Sequence, residues 1–426
     1  MIERHDPRSI ALPRVRTPVT TAVTGERLAL GATAAVIVAL PVIQPTGVGH
    51  SSPVDLLIVG ALGAWLLWAG FTHERQRVPY AASMTVFILG GTLGALNGPV
   101  PTAGLLALVQ DVALLLWCTA VVNVARSPQA MRLLLRTWAW SSIVWASVLF
   151  AALFTGENAL AGITARNGSR VSLTFGDPNV AANYFFISIM IMWAVGCPRR
   201  RAGRVAATAM LVFAMVLTGS IGGFLSLLVG TATAALFAMH RRYGVMPAIA
   251  LVCALGLSVY VGSSYVHIGA IAQWAHNSDR AWLRDSIGRG VKSSSDRELL
   301  RAESVRLIYQ GGPLGQGPVS TKPRLAASQA PFVKEAHDDY LGALTERGVI
   351  GELGLLLLVA SILFRTWSTS LKPLAESIAG GLRSPPAIAG AVAGTLVEGF
   401  SYEVMHFRHV WALWGVVAAL YFWGRR

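Results

Sequence analysis

The sequence has little charge. Only 13% of its 426 residues are Asp, Glu, Lys or Arg, about half the share of a typical soluble domain. Hydrophobic residues make up 54% of the chain, and they fall in uninterrupted blocks of roughly 20 residues, the length that crosses about 30 Å of hydrocarbon. This composition excludes an ordinary soluble protein. It predicts an all-α, polytopic membrane protein.

Cysteine and acidic residues are also scarce. The three cysteines lie in or beside apolar blocks and no disulfide framework is expected from Cys118, Cys197 and Cys253. Lys and Arg outnumber Asp and Glu by 35 to 21, and the net charge is +14. No Cys/His or carboxylate cluster has the spacing of a metal site, so we predict no metal and no cofactor.

Twelve apolar blocks follow one another along the chain. Nine lie within residues 29–265 and three within residues 347–426, and each has the length that predicts a transmembrane helix. Residues 1–28 hold five arginines and lack the apolar core of a signal peptide, which predicts a retained basic tail in the cytoplasm. The blocks are residues 29–47, 54–72, 80–97, 104–124, 137–155, 179–196, 205–219, 223–239, 245–265, 348–364, 384–400 and 409–424.

The basic residues determine the predicted topology, because Lys and Arg are retained on the cytoplasmic side of a membrane. The uncharged run 205–239 is too long for one spanning helix, and arginines at 199–204 and 241–242 keep both of its ends cytoplasmic. Residues 218–223 therefore form an outer turn. With both termini in the cytoplasm, 21 of the 35 Lys and Arg residues lie in cytoplasmic segments. Much of the net charge is thus explained without a nucleic-acid partner.

Two predicted outer segments are too long and polar to be simple connections. The first is residues 157–179, and the second is a large extracytoplasmic loop, residues 266–346. In the second, Ser295-Asp-Arg-Glu298 predicts a capping box that opens an amphipathic helix to about Tyr309. A turn-rich connector follows at residues 311–318, and four of its eight residues are glycine: Gly-Gly-Pro-Leu-Gly-Gln-Gly-Pro. Chemistry is expected in these two segments.

The most informative motif lies where the second outer segment re-enters the membrane. Residues 336–355 read Ala-His-Asp-Asp-Tyr-Leu-Gly-Ala-Leu-Thr-Glu-Arg-Gly-Val-Ile-Gly-Glu-Leu-Gly-Leu. This segment resembles the O-antigen ligase and polymerase family, whose pattern there is His-Asn-x-x-Leu-x-x-Leu-x-Glu-x-Gly-x-x-Gly. Asp338 replaces the family's Asn, which keeps a short polar acceptor but loses an amide donor and adds charge. The matching positions are His337, Leu341, Leu344, Glu346, Gly348 and Gly351.

Two further stretches resemble the same family in the same order along the chain. Residues 170–179 are similar to its Arg-x-Ser-Gly-x-Phe-x-x-Pro-Asn segment, and residues 295–318 to its Arg-helix-Pro-x-x-Gly-x-Gly segment. The resemblance covers roughly residues 165–424. The family carries an arginine at its outer turn where this chain has Ile221, so a substrate contact there is lost or is supplied by another basic residue.

The resemblance implies transfer of a glycan from a polyprenyl diphosphate to a hydroxyl of a glycan or glycolipid, on the outer face of a bacterial inner membrane. Such a transfer needs a base, for which histidine is suited, and cations for the diphosphate, for which arginine is suited. His337 is the predicted catalytic base. The predicted diphosphate-binding residues are Arg170, Arg297, Arg301, Arg166 and Arg347, and the predicted supporting residues are Asp338, Glu346, Asp177 and Asn179.

Several alternatives remain open from the sequence. A polymerase of lipid-linked repeat units would use the same chemistry, whereas a transporter or flippase of lipid-linked sugars would also suit twelve helices. An inactive scaffold is a third alternative, because the chain departs from the family pattern at two positions. At the level of residues, Asp177 and Asn179 are candidates for a helix cap and Glu346 for a structural ion pair. Asp111 lies within an apolar block without an identified partner.

Overall fold

The computed structural model is all-helical, with 79% helix and no strand in the part of the chain that it describes. It confirms the predicted all-α class. Each of the twelve apolar blocks overlaps a helix, although in the first block, residues 29–47, the helix ends at Ala39. The described residues are 19–47, 51–72, 75–165, 167–265, 268–285, 288, 290–330, 333, 337–371 and 382–424.

The helices that match the apolar blocks form the body of the protein, and short helices connect them. The twelve helices in the blocks are α1 (Val19–Ala39), α2 (Pro53–Phe71), α3 (Ala81–Asn97), α4 (Pro101–Val124), α5 (Pro128–Thr155), α7 (Pro178–Val195), α8 (Arg201–Thr218), α9 (Ile221–Tyr243), α10 (Val245–Tyr265), α15 (Asp339–Leu371), α16 (Pro385–Glu398) and α17 (Arg408–Trp423). The others are α6 (Asn158–Ala161), α11 (Ile268–His276), α12 (Ala281–Asp285), α13 (Gly290–Gly311) and α14 (Thr321–Ala327).

Seven helices of the described chain are long and apolar enough to cross a membrane, namely α2, α4, α5, α7, α8, α9 and α15. The protein is thus a multi-pass membrane protein. The helices of the other five blocks do not combine that length and hydropathy over their described residues. The count of twelve spans and the orientation of the chain stay predictions.

Helix α7 is the centre of the bundle. Of the residues in its membrane-spanning stretch, 89% are buried. The helix carries apolar residues on all of its faces and packs them against α5, α8, α9 and α16. Asp177 caps its first turn by accepting a hydrogen bond from the Asn179 N–H at 2.7 Å, and Pro178 follows at a position where no N–H is needed. The predicted capping role of Asp177 is confirmed. That of Asn179 is wrong, because its side-chain oxygen accepts from Arg170 and Ser220 instead.

Helix α15 is broken at Gly348, where φ is +64°. The break leaves two carbonyl groups without helical partners, and the connector supplies them: the Gln316 N–H donates to the Thr345 carbonyl at 2.9 Å, and the Gly317 N–H donates to the Glu346 carbonyl at 2.7 Å. A Cβ atom at Gly348 would stand 2.2 Å from the Pro313 carbonyl oxygen. Glycine is therefore required in the motif both for its backbone angle and for close packing.

Two sequence predictions about element boundaries were wrong or incomplete. Helix α13 begins at Gly290, so Ser295 lies inside the helix and is not its N-cap; serine and lysine cost little in a helix, and nothing at Ser295 ends it. Helix α1 begins at Val19, inside the predicted 1–28 tail. The predicted turn at residues 218–223 is confirmed, because α8 ends at Thr218 and the Ser220 hydroxyl caps α9; its placement on the outer side of the membrane stays a prediction.

Candidate functional site

Three polar pieces of the chain meet at one end of the bundle, which we call the site end. They are residues 167–179 before α7, residues 337–341 at the start of α15, and residues 399–407 between α16 and α17. The first two were expected from the sequence. The third joins them by hydrogen bonds and ring contacts, although no motif drew attention to it.

His337 immediately precedes α15 and is held by the 399–407 loop. Its ring stacks on the Tyr402 ring, with centroids 5.2 Å apart and planes at 26° to each other. The backbone N–H of His337 donates to Glu403 Oε1 at 3.3 Å. Its φ is +53°, which is unfavourable for a residue with a side chain. The half-exposed imidazole is therefore fixed by its neighbours in a defined orientation at the site end.

Asp338 caps the first turn of α15. Its Oδ1 accepts from the N–H groups of Tyr340 and Leu341, each at 3.0 Å. Aspartate makes these bonds as well as the family's asparagine, because both residues cap through a side-chain oxygen. Burial raises the pKa of Asp338, while the two N–H groups and the nearby Arg301 charge oppose that shift.

A line of contacts runs from His337 to Arg170. The Tyr402 hydroxyl donates to Asp177 Oδ2 at 2.9 Å, and Asp177 caps the helix that begins with Pro178 and Asn179. Asn179 Oδ1 in turn accepts from Arg170 Nη2 at 3.3 Å. The structure thus brings four of the predicted site residues together, with Tyr402 as the residue that links them.

Arg170 is 95% buried and reaches the turn between α8 and α9. Its Nε donates to the Thr218 carbonyl at 2.6 Å, and the Ser220 hydroxyl donates to the same Asn179 oxygen at 2.9 Å. These contacts fasten the segment that carries Arg170 to the turn between α8 and α9. Of the two departures from the family pattern, the one at Asp338 keeps a capping role.

Helix α13 brings a second set of arginines toward this end. Arg301 Nη2 donates to the Phe400 carbonyl at 3.4 Å. Arg297 lies one turn earlier on the same helix, at a spacing that puts both residues on one helical face; its side chain lies outside the described part of the structure. Arg166 also lies outside the described residues.

Arg347 and Glu346 have partners away from His337. Arg347 Nη2 pairs with Asp111 Oδ2 at 2.8 Å, and its guanidinium carbon lies 4.0 Å from the Phe87 ring centroid. Asp111, which had no partner in the sequence, therefore pairs with Arg347. Glu346 accepts from the Val319 N–H at 2.9 Å and from the Thr321 hydroxyl at 2.7 Å, so it holds the connector against α15.

A buried polar network lies directly beneath the 399–407 loop, and sequence reasoning missed it. Glu398 Oε2 accepts from Asn183 Nδ2 at 2.7 Å and from the Ser226 hydroxyl at 2.8 Å. Asn183 Oδ1 contacts His409 Nε2 at 2.9 Å. Glu398 and His409 stand at the two ends of the loop, so Asn183 fastens both ends to α7. A carboxylate inside an apolar block was the available sequence signal.

The two predicted outer segments are also fastened to each other. Asp285 Oδ2 accepts from the Ser169 N–H at 3.0 Å and from the Ser169 hydroxyl at 2.7 Å. Burial raises the pKa of Asp285, but these hydrogen bonds and the neighbouring Arg284 charge outweigh it, so the pKa lies below its ordinary value. Among the described residues, no group of three or more His, Cys, Asp or Glu side chains is placed to hold a metal ion.

Comparison with known families addresses the central part of the chain. Residues 206–356 match the family model described as O-Antigen ligase. The O-antigen ligase-like resemblance is confirmed. The matched region runs from α8 through the second predicted outer segment and past the break in α15, and it contains Arg301, His337 and Glu346 but not Arg170. No curated protein matches the chain. The match supports a membrane function of the O-antigen ligase or polymerase type.

Proposed function

We propose that this O-antigen ligase-like protein transfers a glycan from a polyprenyl diphosphate donor to a hydroxyl of a glycan or glycolipid at the site end. The observation that carries the proposal is the convergence of three chain segments on His337. The ring contact with Tyr402 and the Tyr402–Asp177 hydrogen bond connect the histidine to the arginine-bearing segment. A surface histidine in a mobile loop would need none of these contacts.

In the proposed reaction, a ring nitrogen of His337 takes the proton of the acceptor hydroxyl. The acceptor oxygen then bonds to the anomeric carbon of the donor sugar, and the bond from that carbon to the diphosphate breaks. A positioned base of this kind contributes about 10²–10⁴-fold to a rate. One displacement at the anomeric carbon inverts its configuration, and the polyprenyl diphosphate leaves with the bonding electrons.

Arginines stabilise the departing diphosphate in this proposal. The two hydrogen bonds of Arg170 are donated by its Nε and by its Nη2. They use two of the five N–H donors of the guanidinium group. Arg301, with Arg297 on the same helical face, provides the second cationic group. Arg347 is a weaker candidate than the sequence suggested, because its charge is matched by Asp111. Arg166 stays a prediction.

The site does not distinguish a ligase from a polymerase, since both classes use the same donor and differ in the acceptor. The transporter alternative expects buried polar groups near the bilayer midplane. The Glu398 network instead joins the first two turns of α7 and α9, the last turn of α16 and the first turn of α17, all toward the site end. That position favours the enzyme.

The decisive experiment is a transfer assay with purified protein in liposomes. The vesicles contain a labelled polyprenyl-diphosphate glycan, and glycolipid or glycan acceptors are added. We expect covalent transfer with inversion at the anomeric carbon, and product length separates a single ligation from polymerisation. Movement of the labelled lipid across the bilayer without a new glycosidic bond would support the transporter instead.

The matched variants are His337→Ala and His276→Ala, since both histidines belong to the second outer segment. We expect His337→Ala to insert normally and to lose transfer by about 10²-fold or more, whereas His276→Ala keeps it. Full transfer by a correctly inserted His337→Ala protein would contradict the proposed role of this residue.

A further inference from the structure

Two arginines at the opposite end of the bundle rest on aromatic rings. The guanidinium carbon of Arg365 lies 4.4 Å from the Tyr80 ring centroid and 5.2 Å from that of Phe422. The guanidinium carbon of Arg77 lies 5.6 Å from the same Phe422 centroid. Two positive groups therefore share one aromatic ring. Phe422 is near the last turn of α17, whose first turn is at the site end.

The two guanidinium groups have donors that lack acceptors. Arg77 Nε and Arg365 Nη1 are buried and have no hydrogen-bond partner in the described chain. No described carboxylate lies within 4.0 Å of either guanidinium group. Arg126 at the same end differs, because it lies over Trp68 and also pairs with Glu26 at 3.7 Å. An acidic partner is thus available at this end, but not to Arg77 and Arg365.

Two guanidinium groups with unused donors favour the binding of an anion. An aromatic face attracts the flat side of a guanidinium group but offers no acceptor to its N–H edge. The Tyr80 hydroxyl interacts with Arg365 but leaves its Nη1 donor without an acceptor. A buried donor without an acceptor is costly, and two neighbouring cations repel each other. A group with several oxygen atoms and a negative charge would satisfy both guanidinium groups together. Phosphate has this chemistry, and arginine is the residue that matches it geometrically.

We propose that Arg77 and Arg365 form a binding site for the phosphate of an anionic phospholipid. The lipid, not free phosphate, is the occupant because an apolar surface adjoins the arginines. Phe364, one residue before Arg365, is 59% exposed, and its ring centroid lies 5.9 Å from that of Tyr421. Acyl chains fit that surface while the phosphate meets the guanidinium groups. Basic pockets between membrane helices bind lipid head groups in this way.

The backbone on one side of the site is fixed in advance. Asn123 of α4 accepts from the Arg77 N–H and donates to the Arg77 carbonyl, both at 2.9 Å. Asn123 is itself buried. The main chain that carries Arg77 is therefore positioned without the lipid, which lowers the ordering cost of binding. This site is independent of the proposed transfer reaction.

The test measures bound lipid and stability together. The full-length protein and the Arg77→Gln/Arg365→Gln variant are reconstituted in nanodiscs of phosphatidylcholine with or without phosphatidylglycerol. Native mass spectrometry then counts retained phosphatidylglycerol, and thermal unfolding is followed in both lipids. Arg241→Gln is the control, because it removes a positive charge from an exposed arginine at the end of α9. Inorganic phosphate with the phosphatidylcholine nanodiscs tests the free anion.

We expect phosphatidylglycerol to raise the unfolding temperature of the unaltered protein and of Arg241→Gln. The double variant should retain about tenfold less phosphatidylglycerol and lose that stabilisation. Equal retention by all three proteins would overturn the proposal, as would an equal stabilisation by inorganic phosphate. A double variant destabilised to the same extent in both lipids would also overturn it, because an internal partner would explain that result. If the double variant does not fold, Arg77→Gln alone is measured in the same way.

Discussion

The two ends of the bundle use arginine in different ways. At the site end, guanidinium groups meet oxygen atoms: Arg170 donates to a carbonyl and an amide oxygen, and Arg408 makes a two-pronged pair with Asp55 at 2.7 and 2.9 Å. At the opposite end Arg77, Arg126 and Arg365 lie over rings. Ring contact is combined with an oxygen partner in Arg126, which also pairs with Glu26. The same holds for Arg204, which lies over Trp193 and donates to the Pro198 carbonyl. Counting charges therefore predicts on which side an arginine is retained, but not what it contacts.

The difference has a physical origin. Directional bonds to oxygen fix the position of a group to within a fraction of an ångström, which a reacting site requires. A ring face holds a cation with less directional constraint and leaves its N–H edge available. The site end is thus suited to hold reacting groups in place, and the opposite end is suited to receive charge from its surroundings. Four substitutions test this comparison.

The largest effect is expected from Arg347→Met, which leaves the Asp111 carboxylate unpaired in a buried place. Both side chains of the pair are less than one-fifth exposed. The free energy of unfolding should fall by about 3–5 kcal/mol, measured by denaturant titration in detergent micelles. Asp111→Asn/Arg347→Met should recover most of it. A double variant as unstable as the single one would show that the ion pair is not the cause.

The next largest effect is expected in the network beneath the 399–407 loop. Glu398→Ala removes the acceptor of the Asn183 amide and the Ser226 hydroxyl, so the free energy of unfolding should fall by about 2–3 kcal/mol. Glu398→Gln keeps an oxygen and should restore most of the loss. Thermal unfolding compares the two variants. If glutamine is as damaging as alanine, the hydrogen bonds are not what holds the loop.

A smaller effect is expected from Tyr402→Phe, which keeps the ring beside His337 but removes the hydroxyl that bonds Asp177. Stability should fall by about 1 kcal/mol, and transfer by up to about tenfold if the hydroxyl orients the ring in the reaction. Tyr402→Ala should lower transfer further because the stack is lost. Unchanged transfer in both variants would remove Tyr402 from the proposed site.

The smallest effect is expected at the opposite end. Arg126→Lys keeps a positive charge near Glu26 but loses the planar group over Trp68. The free energy of unfolding should fall by about 0.5 kcal/mol, which a thermal-unfolding series in one detergent can resolve. A loss as large as that of Arg347→Met would contradict the distinction between the two ends.

Much of the fold follows from local patterns. Each of the twelve apolar blocks contains a helix, the turn before Ile221 forms where small residues predicted it, and Asp177 caps α7. These features depend on residues close together in the chain, so the sequence suffices. The first residue of α13 could not be predicted from Ser295. In a serine-rich segment, the same residues fit either a capping motif or the interior of a helix.

The site was only partly predictable. His337, Asp177, Asn179 and Arg170 were expected because they lie in motifs, and they are connected in the structure. The connecting residue, Tyr402, lies in a short loop without a motif. Its role depends on the approach of three segments that are far apart in sequence. Periodicity and spacing carry no information about such approaches.

The sequence alone determined that this chain is a multi-pass helical membrane protein, because hydrophobic length and basic clusters act locally against the bilayer. It also indicated the O-antigen ligase-like motif through spacing. Only the tertiary structure decided the partners of the charges. Arg347 pairs with Asp111 and does not lie beside His337. Arg365 lies over aromatic rings and does not pair with a described carboxylate. Ion pairing and ring contacts depend on distances between helices, and those distances are set when the helices pack.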